Sequence, residues 1–393
     1  MNCQPLEKKL LLCRSANFFA MISDSASPTE VASETGSSSQ TSSLFDQMIP
    51  YDHEQIVHCY DKATGLKAIV AIHSTELGPA MGGTRMWNYA SSEEALNDAI
   101  RLARGMTYKS AISGLNVGGG KAVLIGDPDK LKNEAYLRRF GRFINGLGGK
   151  YVTAGDVNMT LRDLEYIRME TKHVTGLPEY LGGSGASSLI TAYGVYMGMK
   201  AAAHEAFGTD SLEGKKVAVQ GAGGVGSKLI EYLTREKAIV FVSDVSEDKL
   251  QRASREFGAH VVSLDGIYDI PADIYSPCAL GATLNDETID RLSCQVIAGG
   301  ANNQLADEKK HGPLLQQKGV VYAPDFLVNA GGIMAVAAEY FGDYSKEYLM
   351  RKAERIYDTC QSVLQQASQQ QTDPHQVATQ MAEDRLAAIS QLR

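Results

Sequence analysis

No uninterrupted apolar run in the 393 residues approaches the ~18 that a membrane-spanning helix requires, which argues against a membrane-embedded chain. There is no basic stripe either. The net charge is −8, with acids and bases interspersed, which argues against nucleic acid as a partner. Cys3, Cys13, Cys59, Cys278, Cys294 and Cys360 form no CxxC pair, and none sits near a histidine at metal-ligand spacing, so no metal site is expected. They read as reduced thiols of a cytoplasmic protein, serving as small core hydrophobes. The histidines show no triad spacing, and His173 and His311, beside turn residues, read as surface groups. No internal repeat is visible.

What is present suits a globular enzyme. The length exceeds the ~250–300 residues at which a single core stops growing, so two domains are expected. The content of 44% apolar and 21% charged residues is ordinary for a soluble fold. "LLLCRSANFFAMI" (10–22) faintly resembles a leader, but Arg14 and Asn17 interrupt it and no clean cleavage site follows. The next stretch, "SDSASPTEVASETGSSSQTSS", has too little apolar surface to offset its ordering entropy, so residues 1–44 read as a disordered extension. Met21 and Met48 are alternative starts.

From about residue 45 the pattern is α/β. "GLKAIVAIHS" (65–74), "GKAVLIGD" (120–127) and "KYVTAGDV" (150–157) read as strands. "SSEEALNDAIRLARGMTYKSAI" (91–112) reads as a helix capped by Ser91 or Ser92, with Leu96, Ala99, Ile100 and Ala103 in one apolar stripe. "YLGGSGASS" (180–188) reads as a hinge, and a helix follows over 189–208. Strands and helices then alternate as in a parallel doubly wound sheet, and a helical tail follows residue 342.

"VAVQGAGGVGSKLIEYL" (217–233) places Gly221, Gly223 and Gly226 in G-x-G-x-x-G spacing, with Gly224 and Val225 completing the turn. A strand precedes it, a helix follows, and a second strand ends in Asp244, 18 residues beyond Gly226. Gly221 permits the tight turn, Gly223 lets a pyrophosphate approach the backbone, and Gly226 lets the helix pack on the sheet. Asp244 would accept both ribose hydroxyls and repel a 2′-phosphate, so NAD is the expected cofactor. The structural alternative is a βαβ turn whose glycines serve folding alone.

"GLNVGGGKAVLIGDP" (114–128) resembles a phosphate loop and fails as one. Its lysine falls one place late, and Ala122 stands where the metal-binding hydroxyl belongs. Three glycines leave bare backbone against which a small molecule is expected to lie. Lys121 would project from the start of a buried strand, where desolvation makes a lysine useful near neutral pH. Lys109 lies twelve residues earlier and Asp156 follows 35 residues later. Two lysines and a carboxylate beside a nicotinamide suit amino-acid oxidation: one lysine pairs with a substrate carboxylate, the other polarises the reacting centre, and the aspartate moves protons. Spacing alone is equally compatible with a solvated Lys109 and a structural Asp156.

"RLARGMTYKSAISGLNVGGGKAVLIGDP", "YVTAGDV", "TAYGVYMGMKAA", "CALGATLNDETI", "VIAGGANNQLAD" and "VYAPDFLVNAGGI" together resemble the leucine, phenylalanine and valine dehydrogenases of the glutamate dehydrogenase superfamily. The pattern is nearest to leucine dehydrogenase, and the likeness runs from about residue 48 to the C-terminal helices. It implies an N-terminal α/β substrate and oligomerisation domain (45–182), a Rossmann-type NAD domain (183–340) and C-terminal helices (341–393) returning to the first. It also implies NAD-dependent oxidative deamination of a hydrophobic L-amino acid to a 2-oxo acid and ammonia, the reverse amination, and a homo-oligomer.

By the same resemblance Lys121 and Asp156 are catalytic, Lys109 binds the substrate carboxylate, and Gly82 and Gly83 line the pocket. Thr191 and Asn303 meet the cofactor's nicotinamide end, and Asn329 lies near substrate. Met81, Ala154, Ile333 and Val336 take the positions that set pocket volume, and their size suits a branched aliphatic side chain. Methionine adapts its shape, which keeps phenylalanine or tryptophan open. Two departures stand out: "GSGASSLITAYG" at the hinge, and Gly155 where the family usually has glutamate. A 2-hydroxy-acid dehydrogenase would need a His/Arg pair that is missing, and a non-catalytic NAD-binding protein would be favoured by loss of Lys121 or Asp156.

Overall fold

A computed structural model describes residues 44–184 and 187–392. The extension expected over 1–44 therefore falls outside the described residues, except for Leu44, which begins a short helix to Met48. The hinge residues Gly185 and Ala186 fall outside as well.

The first sheet contains β1 (Gln55–Asp61), β2 (Leu66–Ser74), β3 (Ala80–Trp87), β4 (Gly118–Ile125) and β5 (Tyr151–Gly155) in the order β1-β2-β4-β3-β5. β2 is antiparallel to β1 and β4, while β3 runs parallel to both β4 and β5. Helix α1 (Ser92–Ile112) is capped by Ser91, whose hydroxyl accepts the Glu94 N–H. Its Leu96, Ala99, Ile100 and Ala103 pack on Ile69, Ala71 and Val123, on one face of the sheet. Helices α2 (Glu134–Gly146) and α3 (Leu161–Arg168) cover the other face, meeting Val70, Ile72, Ala122 and Leu124. Two-residue alternation then puts Lys121 with Val123 on the α1 side.

Helix α4 (Ser187–Phe207) leads into the second sheet. Its strands are β6 (Lys216–Gln220), β7 (Ile239–Ser243), β8 (His260–Val261), β9 (Ile274–Pro277), β10 (Val296–Ile297) and β11 (Val321–Tyr322), all parallel. The order β8-β7-β6-β9-β10-β11 is that of a dinucleotide-binding sheet. Helices α5 (Gly224–Arg235), α6 (Glu247–Phe257) and α7 (Glu308–Gln317) belong to this half.

The tail forms α8 (Gly331–Phe341), α9 (Lys346–Gln370) and α10 (Pro374–Ser390). α10 lies against α1 of the first sheet. Arg385 donates to the carbonyls of Ala111 (3.0 Å) and Leu115 (2.8 Å) and to Asn116 Oδ1 (2.9 Å), capping the end of α1. α8 grips the segment after β5. The Glu339 carboxylate accepts the N–H groups of Gly176 (3.0 Å), Leu177 (3.2 Å) and Ser184 (2.8 Å), and Tyr344 donates to the Ser184 carbonyl.

Two expectations are corrected. β4 begins at Gly118, two residues before the expected start at Gly120, so Gly118 and Gly119 belong to the strand and not to a loop. A Cβ would stand 1.9 Å from the Ser74 carbonyl oxygen at Gly118, 2.1 Å from the Thr107 nitrogen at Gly119 and 2.7 Å from the Tyr151 ring at Gly120. Glycine is needed there for close protein packing. His173 and His311 are buried, at 8% and 4% exposure, because turn residues flank them while their rings point inward; His311 Nδ1 accepts the Asp307 N–H. Cys59, Cys294 and Cys360 are buried as expected, and Cys278 is half-buried.

Replacing Arg385 by alanine leaves α1 and loop carbonyls without their partner. The expected loss is about 1–3 kcal/mol, read as a lower denaturant midpoint at unchanged m-value; an unshifted midpoint would show that solvent replaces the cap.

Candidate active site

β3, β4 and the residue after β5 converge on one carboxylate. Lys121 Nζ donates to Asp156 Oδ2 at 2.5 Å, and Arg85 Nε donates to the same oxygen at 3.1 Å. The Lys121 side chain is 7% exposed and that of Asp156 25%. Burial alone would raise the Asp156 carboxyl, but the Lys121 ammonium and Arg85 guanidinium outweigh it and hold the group at about 2. Asp156 is therefore a carboxylate at neutral pH.

Lys109, in the last turn of α1, is half-buried and donates to Asn302 Oδ1 at 2.8 Å. Desolvation lowers it to about 8; the Lys121 charge pushes the same way, against Asp325 and Asp156. Lys121 and Asp156 are thus among the charges that act on Lys109. Asn329 Nδ2 reaches the same Asn302 Oδ1 at 2.8 Å and also faces the Gly300 and Ala301 carbonyls. Its Oδ1 is buried without a protein partner. A buried acceptor in this position fits an N–H donor from a bound molecule.

Gly82 and Gly83 sit in β3 beside these groups. A Cβ at Gly82 would stand 1.8 Å from the Gly120 oxygen, and one at Gly83 2.9 Å from the Asp156 Cβ. Met81 and Ile333 are in one buried cluster, with Val336 packed against it. Ala154 is on β5, opposite Gly83.

In the second sheet, Gly221 follows β6 at φ +104°, and a Cβ on Gly226 would stand 1.9 Å from the Gly221 oxygen, so α5 packs directly on the turn. Gly224 and Val225 open α5, and a Cβ on Gly224 would press on Ser188. Gly223 differs: no protein atom is within 4 Å of where its Cβ would stand. Its bare backbone at a helix N-terminus is a cradle that fits a pyrophosphate. Asp244, just past β7, accepts the Ala222 and Ser246 N–H groups, both at 2.8 Å. Thr191, in the first turn of α4, donates to the Ser187 carbonyl and lies 3.5 Å from where a Gly332 Cβ would be. Asn303 is exposed, at φ +51°, and its carbonyl accepts the Ala282 N–H. Among the described residues no cluster of metal-ligating side chains occurs, and no helix is long and apolar enough to cross a membrane.

The comparisons with known proteins decide what this geometry belongs to. Residues 53–173 match the model of the Glu/Leu/Phe/Val dehydrogenase dimerisation domain. Residues 182–248 and 245–393 match that of the Glutamate/Leucine/Phenylalanine/Valine dehydrogenase domain. The chain belongs to this dehydrogenase family. Leucine dehydrogenase of Thermoactinomyces intermedius is 55% identical over 89% of this chain and 95% of its own length. The Geobacillus stearothermophilus leucine dehydrogenase is 53% identical with the same coverage. The solved L-tryptophan dehydrogenase of Nostoc punctiforme superposes with a TM-score of 0.77 at 42% identity, over 88% of this chain and 99% of its own. The chain is thus an amino-acid dehydrogenase with two α/β units, one carrying a dinucleotide-binding sheet.

Sequence reasoning missed Arg85 and its anchors. Arg85 Nη1 pairs with Asp98 Oδ2 at 3.1 Å, and the same buried carboxylate accepts the Tyr89 hydroxyl at 2.7 Å. Alternation along β3 held the signal: Arg85 is a charge on the face that also bears Met81 and Gly83. Asn302, which accepts from both Lys109 and Asn329, carries no signal in the sequence that marks it for this place.

Gly119→Ala drives a methyl into the Thr107 backbone and is expected to cost about 1–3 kcal/mol, whereas Gly223→Ala leaves stability unchanged. Thermal unfolding of the two variants checks this; equal midpoints would contradict the packing described.

Proposed function

We propose that the chain is an NAD-dependent L-amino-acid dehydrogenase that converts leucine and other branched-chain amino acids to 2-oxo acids and ammonia, and catalyses the reverse amination. The observation that carries this reading is the 2.5 Å contact of Lys121 with Asp156, with the Lys109 cation in the same electrostatic environment.

Lys109 pairs with the substrate carboxylate, exchanging its bond to Asn302 for one to the ligand. Asn329 offers its unpartnered oxygen to an N–H donor. NAD, when bound along Gly221, Gly223, Gly224, Val225 and Gly226 with its adenosine ribose toward Asp244, supplies the hydride acceptor; Thr191 and Asn303 serve its nicotinamide end. Asp156 orients the substrate amino group. Lys121, once it has released its proton, takes one from the water that adds to the iminium carbon. Asp156 then steadies the charge as ammonia departs. Because two cations hold Asp156 so low, the proton that moves is carried by the pair, chiefly on the lysine.

Met81, Ala154, Ile333 and Val336 line the side-chain pocket, and their volumes suit leucine, isoleucine and valine. Relatives named leucine dehydrogenase support this at 52–55% identity, against 45% for the tryptophan enzyme and 44% for a phenylalanine enzyme from Caldalkalibacillus thermarum. Residues 45–182 act as the substrate and oligomerisation domain of a cytoplasmic homo-oligomer. Residues 183–340 bind NAD, and 341–393 brace the first domain. The dimerisation-domain match supports the oligomer.

Turnover of a panel of L-amino acids with NAD, followed by absorbance of the reduced cofactor, should be fastest on the branched aliphatic substrates. Lys121→Ala should abolish it while NAD still quenches protein fluorescence; activity within tenfold of wild type would overturn the assignment. Lys109 supplies a second test. Below its pKa of about 8 it is a cation and binds a 2-oxo acid carboxylate; above, it loses the charge. The dissociation constant of 4-methyl-2-oxopentanoate on the NAD-loaded protein should be flat below pH 8 and rise toward tenfold per unit above it. A flat profile to pH 9.5 would remove Lys109 from carboxylate binding.

A further inference from the structure

Asp156 is gripped from two sides, and the second grip has no part in the chemistry described so far. Arg85 Nε and Lys121 Nζ both point at Oδ2, so the two cations lie within a few ångströms of each other around one oxygen. Arg85 is itself fixed from behind. Its Nη1 meets Asp98 Oδ2 at 3.1 Å, and Asp98, with a side chain only 2% exposed, also takes the Tyr89 hydroxyl at 2.7 Å and Arg101 Nη2 at 3.5 Å. The groups form a ladder of alternating sign: Lys121, Asp156, Arg85, Asp98.

We infer that Arg85 is a positioning residue that acts through Asp156, competing with Lys121 for its oxygen and so easing release of the proton that Lys121 must give up before it can act as a base. The inference rests on the roles proposed above for Lys121 and Asp156. A lone Asp156 facing Lys121 would bind the ammonium form tightly and trap the pair as a dead ion pair. A permanently charged guanidinium on the same oxygen weakens that hold and adds repulsion between the cations. Lysine cannot match this role in full, because it lacks the planar fork that lets Arg85 hold Asp98 and Asp156 at once. The other charged groups facing the pair are Lys109 on α1, a cation that works in the same direction as Arg85, and Asp325, which faces Lys109 and partly offsets it. Asp98 and Arg101 bear on the pair through Arg85, and Tyr89, bonded to Asp98, also feels the Asp156 charge directly.

The test is the pH profile of kcat/KM for oxidative deamination, with wild type compared with Arg85→Gln and Arg85→Lys. Removing a cation beside a proton-sharing pair strengthens its hold on the proton, so the ascending limb in Arg85→Gln should move to higher pH by about one unit or more. At neutral pH kcat should fall at least tenfold, while KM and the NAD dissociation constant stay within about threefold. Arg85→Lys should keep the limb near its wild-type place with reduced kcat. An Arg85→Gln limb in the wild-type position, with activity lowered equally at every pH, would mean that Arg85 only braces the fold, and the inference falls. If Arg85→Gln does not fold because Asp98 is left charged and unpaired, the double variant Arg85→Gln/Asp98→Asn removes both charges, and the same shift is read on it. Lys121→Ala separates the two levels. An active Lys121→Ala overturns the proposed function, whereas an inactive one with an unmoved Arg85→Gln limb overturns this inference alone.

Discussion

The site depends on how closely two strands approach. β4 brings Lys121 to Asp156 because the residues before it have no side chains: at Gly118, Gly119 and Gly120 the space for a Cβ is occupied by Ser74, Thr107 and Tyr151. On β3, Gly82 lets the Gly120 carbonyl in, and Gly83 lets the Asp156 side chain in. The glycines shape a pocket by allowing protein to meet protein. Lys121 is then held by a strand buried at all but its last residue, which leaves its backbone little freedom to move.

Electrostatics follows from that closeness. In a partly dry site, like charges cannot be ignored and opposite charges are strong. Lys109 is lowered to about 8 while Asp156 is held near 2, a separation set by burial and by which charges each group faces. Proton affinities driven apart in this way are a common mark of catalytic centres.

Much of this was legible in the chain. The helix over 92–112, its cap at Ser91, the parallel second sheet and the glycine turn before α5 follow from periodicity and turn chemistry. Lys109, Lys121 and Asp156 were readable as candidates, though their convergence needed the family resemblance. What escaped has physical reasons. β1 and β3 were not read, because Gly82 and Gly83 interrupt the apolar pattern of β3 and β1 is an edge strand of mixed burial. The glycines of β4 look like a loop until the atoms around them are known. Arg85 has its meaning only in space, since Asp98 and Asp156 are 13 and 71 residues away.

Glu339 ties together regions that the linear order keeps apart. It is on the same helix as Ile333 and Val336, and its carboxylate holds three amides of the 176–184 segment that runs up to α4. The chain leaving the first sheet is therefore fastened to the helix that carries Ile333 and Val336. A substitution that tilts this helix therefore also pulls on the 176–184 segment, so a change of packing at one is felt at the other.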